Sequence, residues 1–180
     1  MNKVRFKVKI EKMEEDKEYK YAEIIGYENY LIYEDGQVFS KKSKRFLKPS
    51  VNTVGYLVTN VRKNGKRKTM PIHRLIALYF IPNPENKAYV DHKDGNKLNN
   101  SIGNLRWATE IENAQNSKRP CNNKSGEKNV CWHKQRSKWT VRIRINGKYK
   151  HFGLFDDFEE AVMVASAIRQ ELHGEYARDA

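Results

Sequence analysis

Hydrophobic and polar positions along this chain follow two periods, and the change from one to the other marks its elements. Lys3 to Ile10 alternate between Lys/Arg and Val, Phe or Ile, which predicts a strand with one apolar face. Glu11 to Lys20 is charged without a clear period and predicts a linker or short helix. Tyr27 to Ser40 predicts two short strands around the turn Glu34-Asp35-Gly36. Gly55–Asn60 and Lys66–Met70 flank Asn64-Gly65, the strongest short hairpin signal. After Pro71 the period becomes helical: Ile72, Leu75, Ile76, Tyr79 and Phe80 form a stripe that Pro82 ends. Residues 83–108 are rich in Asn, Asp and Gly, and so polar a segment predicts a functional loop.

Thr109 with Glu112 is a capping box that starts a short helix. Ser117 to Ser125 reads as a linker. Beyond it, strands are expected over Lys128–Lys134, Trp139–Ile145 and Lys148–Gly153. A helix capped by Asp157 follows, with Ala161, Val164, Ala165, Ile168 and Leu172 facing inward. The two-residue turn Asn146-Gly147 fixes register. It sets Arg144 opposite Tyr149, Arg142 opposite His151 and Val141 opposite Phe152, leaving Arg142, Arg144, Tyr149 and His151 on the face away from the helix. The fold class expected is α+β, built from small modules. These are residues 1–20 as an extension, 21–60 as a β-rich motif, 61–116 as a mixed central module, 117–126 as a basic linker and 127–177 as a sheet-and-helix domain.

Charge sharpens this. The 180 residues hold 35 Lys+Arg against 22 Asp+Glu, a net +13. Gly36 to Pro84 contains no acid against eleven Lys/Arg, and Ser117 to Lys150 only Glu127 against another eleven. Two basic blocks imply a polyanion gripped at two places. No apolar run approaches the roughly 18–20 residues of a bilayer span, and the amino terminus lacks a signal core, so membrane association is not expected and a cytoplasmic location is. Cys121 and Cys131 lack metal-ligand spacing, which argues against zinc.

The candidate chemistry lies in residues 90–116. Val90-Asp91-His92-x-Asp94-Gly95-Asn96-x-x-Asn99-Asn100, then Asn104-Leu105-x-Trp107 and Glu112-Asn113-x-x-Asn116, all preceded by His73-Arg74-Leu75, resemble the HNH nuclease module of phage and intron-encoded homing endonucleases over about residues 70–116. Phosphodiester hydrolysis needs an activated water and a stabilised leaving oxygen. A neutral histidine can take the water's proton, and a hard cation held by oxygens can bridge phosphate and leaving group. The resemblance implies His92 as general base, Asn104 orienting it, and Asp91 and Asn113 as ligands of one divalent ion, Mg²⁺ first and Mn²⁺ second, with no small-molecule cofactor. His73 is expected opposite the apolar stripe, touching DNA phosphate or supporting the loop. Arg106 is expected as a phosphate contact or a surface arginine.

Ile25-Gly26-Tyr27-Glu28 through Gly36-x-Val38-x-Ser40 resembles a small motif that precedes such nucleases. Val130-x-Trp132, Lys138-Trp139-x-Val141-x-Ile143, Gly153-x-Phe155 and Glu160-Ala161 resemble the ethylene-response-factor (Apetala-type) DNA-binding domain over about residues 126–177. That resemblance implies major-groove contact by the sheet, through Arg142, Arg144, Tyr149 and His151 with Lys134, Arg136 and Lys138 beside them. Cys131 departs from the family's arginine. The function expected is a site-specific, metal-dependent endonuclease acting on double-stranded DNA, as a monomer. The alternative is a DNA-binding regulator carrying an inactive HNH remnant.

Overall fold

The computed structural model describes residues 8–13, 17–117, 123–145 and 147–178, and side chains from residue 20 onward. Most of the strand expected over Lys3–Ile10, the centre of the Ser117–Ser125 segment and Asn146 of the Asn146-Gly147 turn lie outside these. The chain forms two compact units, Met1–Ala108 and Thr109–Ala180.

In the first unit, β1 (Val8–Met13), β2 (Lys17–Ile24), β3 (Tyr27–Tyr33), β4 (Val38–Ser40) and β5 (Arg45–Phe46) make an antiparallel meander in chain order. Of the linker or helix expected over Glu11–Lys20, residues 11–13 belong instead to β1 and residues 17–20 to β2, paired from Val8↔Ala22 to Met13↔Lys17. A second sheet joins β6 (Ser50–Val51), β7 (Leu57–Lys63) and β8 (Lys66–Pro71) around the Asn64-Gly65 turn. Helix α1 (Ile72–Phe80) follows Pro71 directly. Leu75 and Tyr79 pack with Ala22, Ile24, Ile32, Val38, Val61 and Met70 in one core, while Ile72, Ile76 and Ala77 pack with Val90 and Leu105 in a second. Gly36, at φ +88°, turns the chain against α1, where a Cβ would come within 2.9 Å of Ile72.

The segment 83–108 is more than a loop: it ends in a hairpin of β9 (Tyr89–His92) and β10 (Leu105–Ala108). Its register sets Leu105 opposite His92 and Arg106 opposite Asp91. The few apolar residues of the segment suffice because Val90 and Leu105 bury against α1.

The second unit begins with α2 (Glu110–Gln115), closed at Thr109 by the expected capping box. A three-stranded antiparallel sheet of β11 (Val130–His133), β12 (Lys138–Ile145) and β13 (Lys148–Phe155) is covered by α3 (Phe158–His173). Val130, Val141, Ala161 and Ala165 form its core. The register follows expectation from Ile145↔Lys148 to Arg142↔His151, then shifts: Thr140 pairs with Leu154, so Phe152 and Gly153 together face Val141. Gly153, at φ +138°, makes this bulge possible. The buried stripe of α3 runs Ala161–Ala165–Arg169, and Leu172, expected inside, is 40 % exposed.

Lys128 is buried, and its ammonium donates to the carbonyls of Gln115, Ser117 and Arg178. The end of the expected linker is also ordered: Ser125 Oγ donates to Val130 O at 2.6 Å and Asn123 Nδ2 to Glu127 O at 2.7 Å. Among the described residues no helix is long and apolar enough to cross a membrane.

Candidate active site and nucleic-acid interface

His92 ends β9 and is 5 % exposed. Its Nε2 lies 2.9 Å from Asn100 Oδ1. The carboxamide oxygen only accepts, so Nε2 is the donor of this contact. Asn104 is the partner expected from the sequence, and the structure differs. Asn104 Nδ2 donates to Asp94 Oδ1 and to Asn99 O, and its Oδ1 accepts from the Asp94 N–H. Asn104 therefore braces the loop between β9 and β10, and Asn100 holds the histidine. Asn96, Asn99, Asn100 and Asn104 all follow left-handed Gly95 in the segment joining β9 to β10, and spacing alone does not say which of them reaches back to His92.

Asp94 is the hub of that loop. Burial pushes its carboxyl up, but hydrogen bonds from the Asn96 N–H and the Asn99 and Asn104 amides outweigh this and hold it below its ordinary value.

Asp91 points across the hairpin. Its Oδ2 accepts from Arg106 Nε at 2.9 Å and Nη2 at 2.8 Å, both residues being buried. Arg106 is thus the cross-strand partner of Asp91, not an exposed phosphate contact. The adjacency of Asp91 and His92 in a strand sends them to different neighbours, as alternation requires.

His73 is also placed differently. It is 7 % exposed: the exposed face of α1 carries Arg74 and Leu78, and His73 lies on the buried side. Its ring lies 4.7 Å from Tyr56 and 5.1 Å from His92. Asn100 stands in the motif quoted from the sequence, but without a role there, and Tyr56, just before β7, carries no local signal.

Burial, then His92 and Arg74, pushes the His73 imidazole from 6.5 down to about 4. The unfolded chain binds this proton first, so the stability is complete above 6.5 and is lost as pH falls toward 4. The loss should reach roughly 2–3 kcal/mol. Urea midpoints at about pH 7.5 and about pH 4.5 check it: wild type should lose that much more than His73→Phe, and equal losses would contradict the assignment.

Asn113 lies half-buried on α2, in the second unit. Asp91 carries a carboxylate and Asn113 a carboxamide, each an oxygen donor of the kind a hard divalent cation takes. Among the described residues no three His, Cys, Asp or Glu side chains are grouped to hold a metal.

In the second unit, Arg142 and Arg144 alternate with buried Val141 and Ile143, on the exposed face as expected. Arg142 Nη2 approaches Cys131 Sγ at 3.1 Å, and its guanidinium lies 5.9 Å from the Tyr149 ring. Arg144 Nε donates to Gly147 O at 3.0 Å. Tyr149 is 72 % exposed. His151 is braced within the sheet: Nδ1 accepts from the Gly153 N–H and Nε2 lies 2.6 Å from Thr140 Oγ1. A groove of about 680 Å³ is lined by Trp132, Lys134, Arg136, Thr140, Arg142 and His151, among others. Lys138 is paired with Asp156 at 2.7 Å.

Residues 71–115 match the HNH endonuclease family. The chain is 48 % identical over 85 residues to an uncharacterized HNH endonuclease, L245, of Acanthamoeba polyphaga mimivirus, covering 47 % of this chain and 26 % of that one. It is 43 % identical over 97 residues to DNA endonuclease I-HmuI of Bacillus phage SP01, covering 53 % and 56 %. It is 41 % identical over 90 residues to Protein 3.8 of Escherichia phage T7, covering 50 % and 74 %. The chain thus spans about a quarter to just over half the length of the first two relatives. A solved structure, described as DNA binding and cleavage by the HNH homing endonuclease I-HmuI, superimposes with a TM-score of 0.50 at 43 % identity over 53 % of this chain and 56 % of that one. The matched segment runs through α1, the Asp91–His92 hairpin and α2, and by that segment this chain belongs to the HNH endonuclease family.

Proposed function

We propose that the protein is a site-specific, divalent-metal-dependent endonuclease of the homing type that hydrolyses phosphodiester bonds in double-stranded DNA. The observation that carries this is the buried His92, held at Nε2 by Asn100 beside the Arg106-clamped Asp91. Within this reading His92 Nδ1 takes the proton of the attacking water. Asn100 fixes its tautomer, and Arg106 fixes the carboxylate. Asp91 and Asn113 would hold one ion, Mg²⁺ before Mn²⁺. When bound, such an ion supplies charge stabilisation to the phosphate and the leaving oxygen.

The organisation proposed keeps residues 61–116 as the nuclease module and 127–177 as an ethylene-response-factor-like domain. The sheet face of the latter, with Arg142, Arg144, Tyr149 and the basic residues Lys134 and Arg136, supports DNA contact. The protein acts as a monomer on DNA.

The direct test incubates the protein with long duplex DNA from its source genome in Mg²⁺ or Mn²⁺ and in EDTA. Discrete metal-dependent breaks or nicks are expected, abolished by EDTA. Binding without any metal-dependent cleavage would overturn the reading in favour of a non-catalytic regulator.

For the sheet face, the Arg142→Ala/Arg144→Ala double variant should weaken binding. It should also flatten the dependence of log affinity on log salt by roughly one unit for each phosphate that is no longer neutralised. Titrations at several salt concentrations measure this, and an unchanged slope would remove the sheet from the interface.

A further inference from the structure

One buried group has no task in the chemistry above. His73 has its Nδ1 buried without a hydrogen-bond partner. A polar ring atom in that state costs stability that an apolar side chain would avoid. Its neighbours suggest what the ring does. It is tilted 37° to Tyr56 at 4.7 Å, and it meets His92 at 61°, edge to face, at 5.1 Å. Tyr56 also reaches His92 directly at 5.9 Å. Tyr56 is itself held: Lys97 Nζ lies 4.7 Å over its ring and donates to Val54 O at 3.0 Å. On α1 His73 is fixed by its helix, between Ile72 and Leu75, which bury into two different cores.

We infer that His73 is a positioning residue for His92, its ring, backed by Tyr56, setting the plane of the His92 imidazole. Asn100 holds one ring nitrogen, and the edge-to-face contact of the neighbouring ring limits how far the imidazole can turn about that bond. The role rests on the reading of His92 as general base.

The experiment uses the full chain, supercoiled plasmid DNA with Mn²⁺, and nitrogen-15 imidazole spectra. His73→Leu should lower the single-turnover nicking rate at saturating DNA by roughly 10- to 100-fold and leave DNA affinity within about twofold. His73→Phe should restore most of the rate by returning a ring. In the spectra, wild-type His92 should show one fixed Nε2–H tautomer, and His73→Leu should show averaging between tautomers. An unchanged rate in His73→Leu, with His92→Ala inactive, would overturn the inference and leave the general-base reading standing. Undiminished cleavage by His92→Ala would sink that reading instead, while the spectra still decide whether His73 positions the ring. An unchanged His92 tautomer signal in His73→Leu overturns the inference in either case. Should His73→Leu fail to fold, Tyr56→Leu, at a half-buried position, carries the same expectations and the same refutations.

Discussion

His92→Ala should abolish Mg²⁺-dependent cleavage while leaving the affinity for duplex DNA nearly unchanged. A positioned general base contributes about 10²–10⁴ in rate, and among the described residues no neighbouring group stands ready to replace it. His73 is turned edge-on to His92 within the wall behind it, and Asn100 can only accept at the oxygen that faces it. The expected loss is therefore at least about 10³-fold. Binding should survive because His92 is 5 % exposed and contributes little surface to a duplex. The cations available for phosphate lie elsewhere, in Lys/Arg-rich blocks on either side of the hairpin. Gel-shift titration in EDTA, run beside cleavage in Mg²⁺, separates the two quantities. Loss of binding, or undiminished cleavage, would sink the assignment.

Arg106→Met should cost about 3–5 kcal/mol of stability, the usual consequence of leaving a buried charge without its partner. Asp91 Oδ2 takes two N–H groups from one guanidinium, and both side chains are at most about a tenth exposed. Methionine keeps much of the volume and removes only the charge and the donors. The control is Arg106→Met with Asp91→Asn, which also removes the stranded charge and should recover a large part of the loss. Urea unfolding monitored by tryptophan fluorescence measures both. A single variant within about 1 kcal/mol of wild type would show that the pair does not hold the hairpin.

Periodic features are legible in the sequence. The stripe after Pro71 is α1, the Asn64-Gly65 turn joins β7 to β8, and the Thr109–Glu112 box caps α2. What escapes depends on contacts between segments far apart in the chain. The β12–β13 register is right near its turn and fails at Gly153, because a bulge is set by local backbone conformation that a pairing rule does not contain. His73 reads as outward-facing because it falls outside the apolar stripe, whereas the exposed face of α1 carries Arg74 and Leu78 and His73 lies on the buried side. Asp91 and His92 stand out as a motif, but their partners, Arg106 across the hairpin and Asn100 beyond the turn, are fixed by loop geometry. The family resemblance locates the chemistry and names the wrong amide for the histidine, since Asn104 is occupied with Asp94.

The three carbonyls gathered by Lys128 bear on how such a protein can be rearranged. The ammonium joins the end of α2 to residue 178 of the chain, and α2 has only six residues. A helix of that length is far too short to persist alone in water. Splicing a foreign domain at residues 117–126 would therefore leave the helix bearing Asn113 without its C-terminal clasp. The viable seam for exchanging parts lies before Thr109, so the last helix of the nuclease motif would be inherited together with the sheet that follows it.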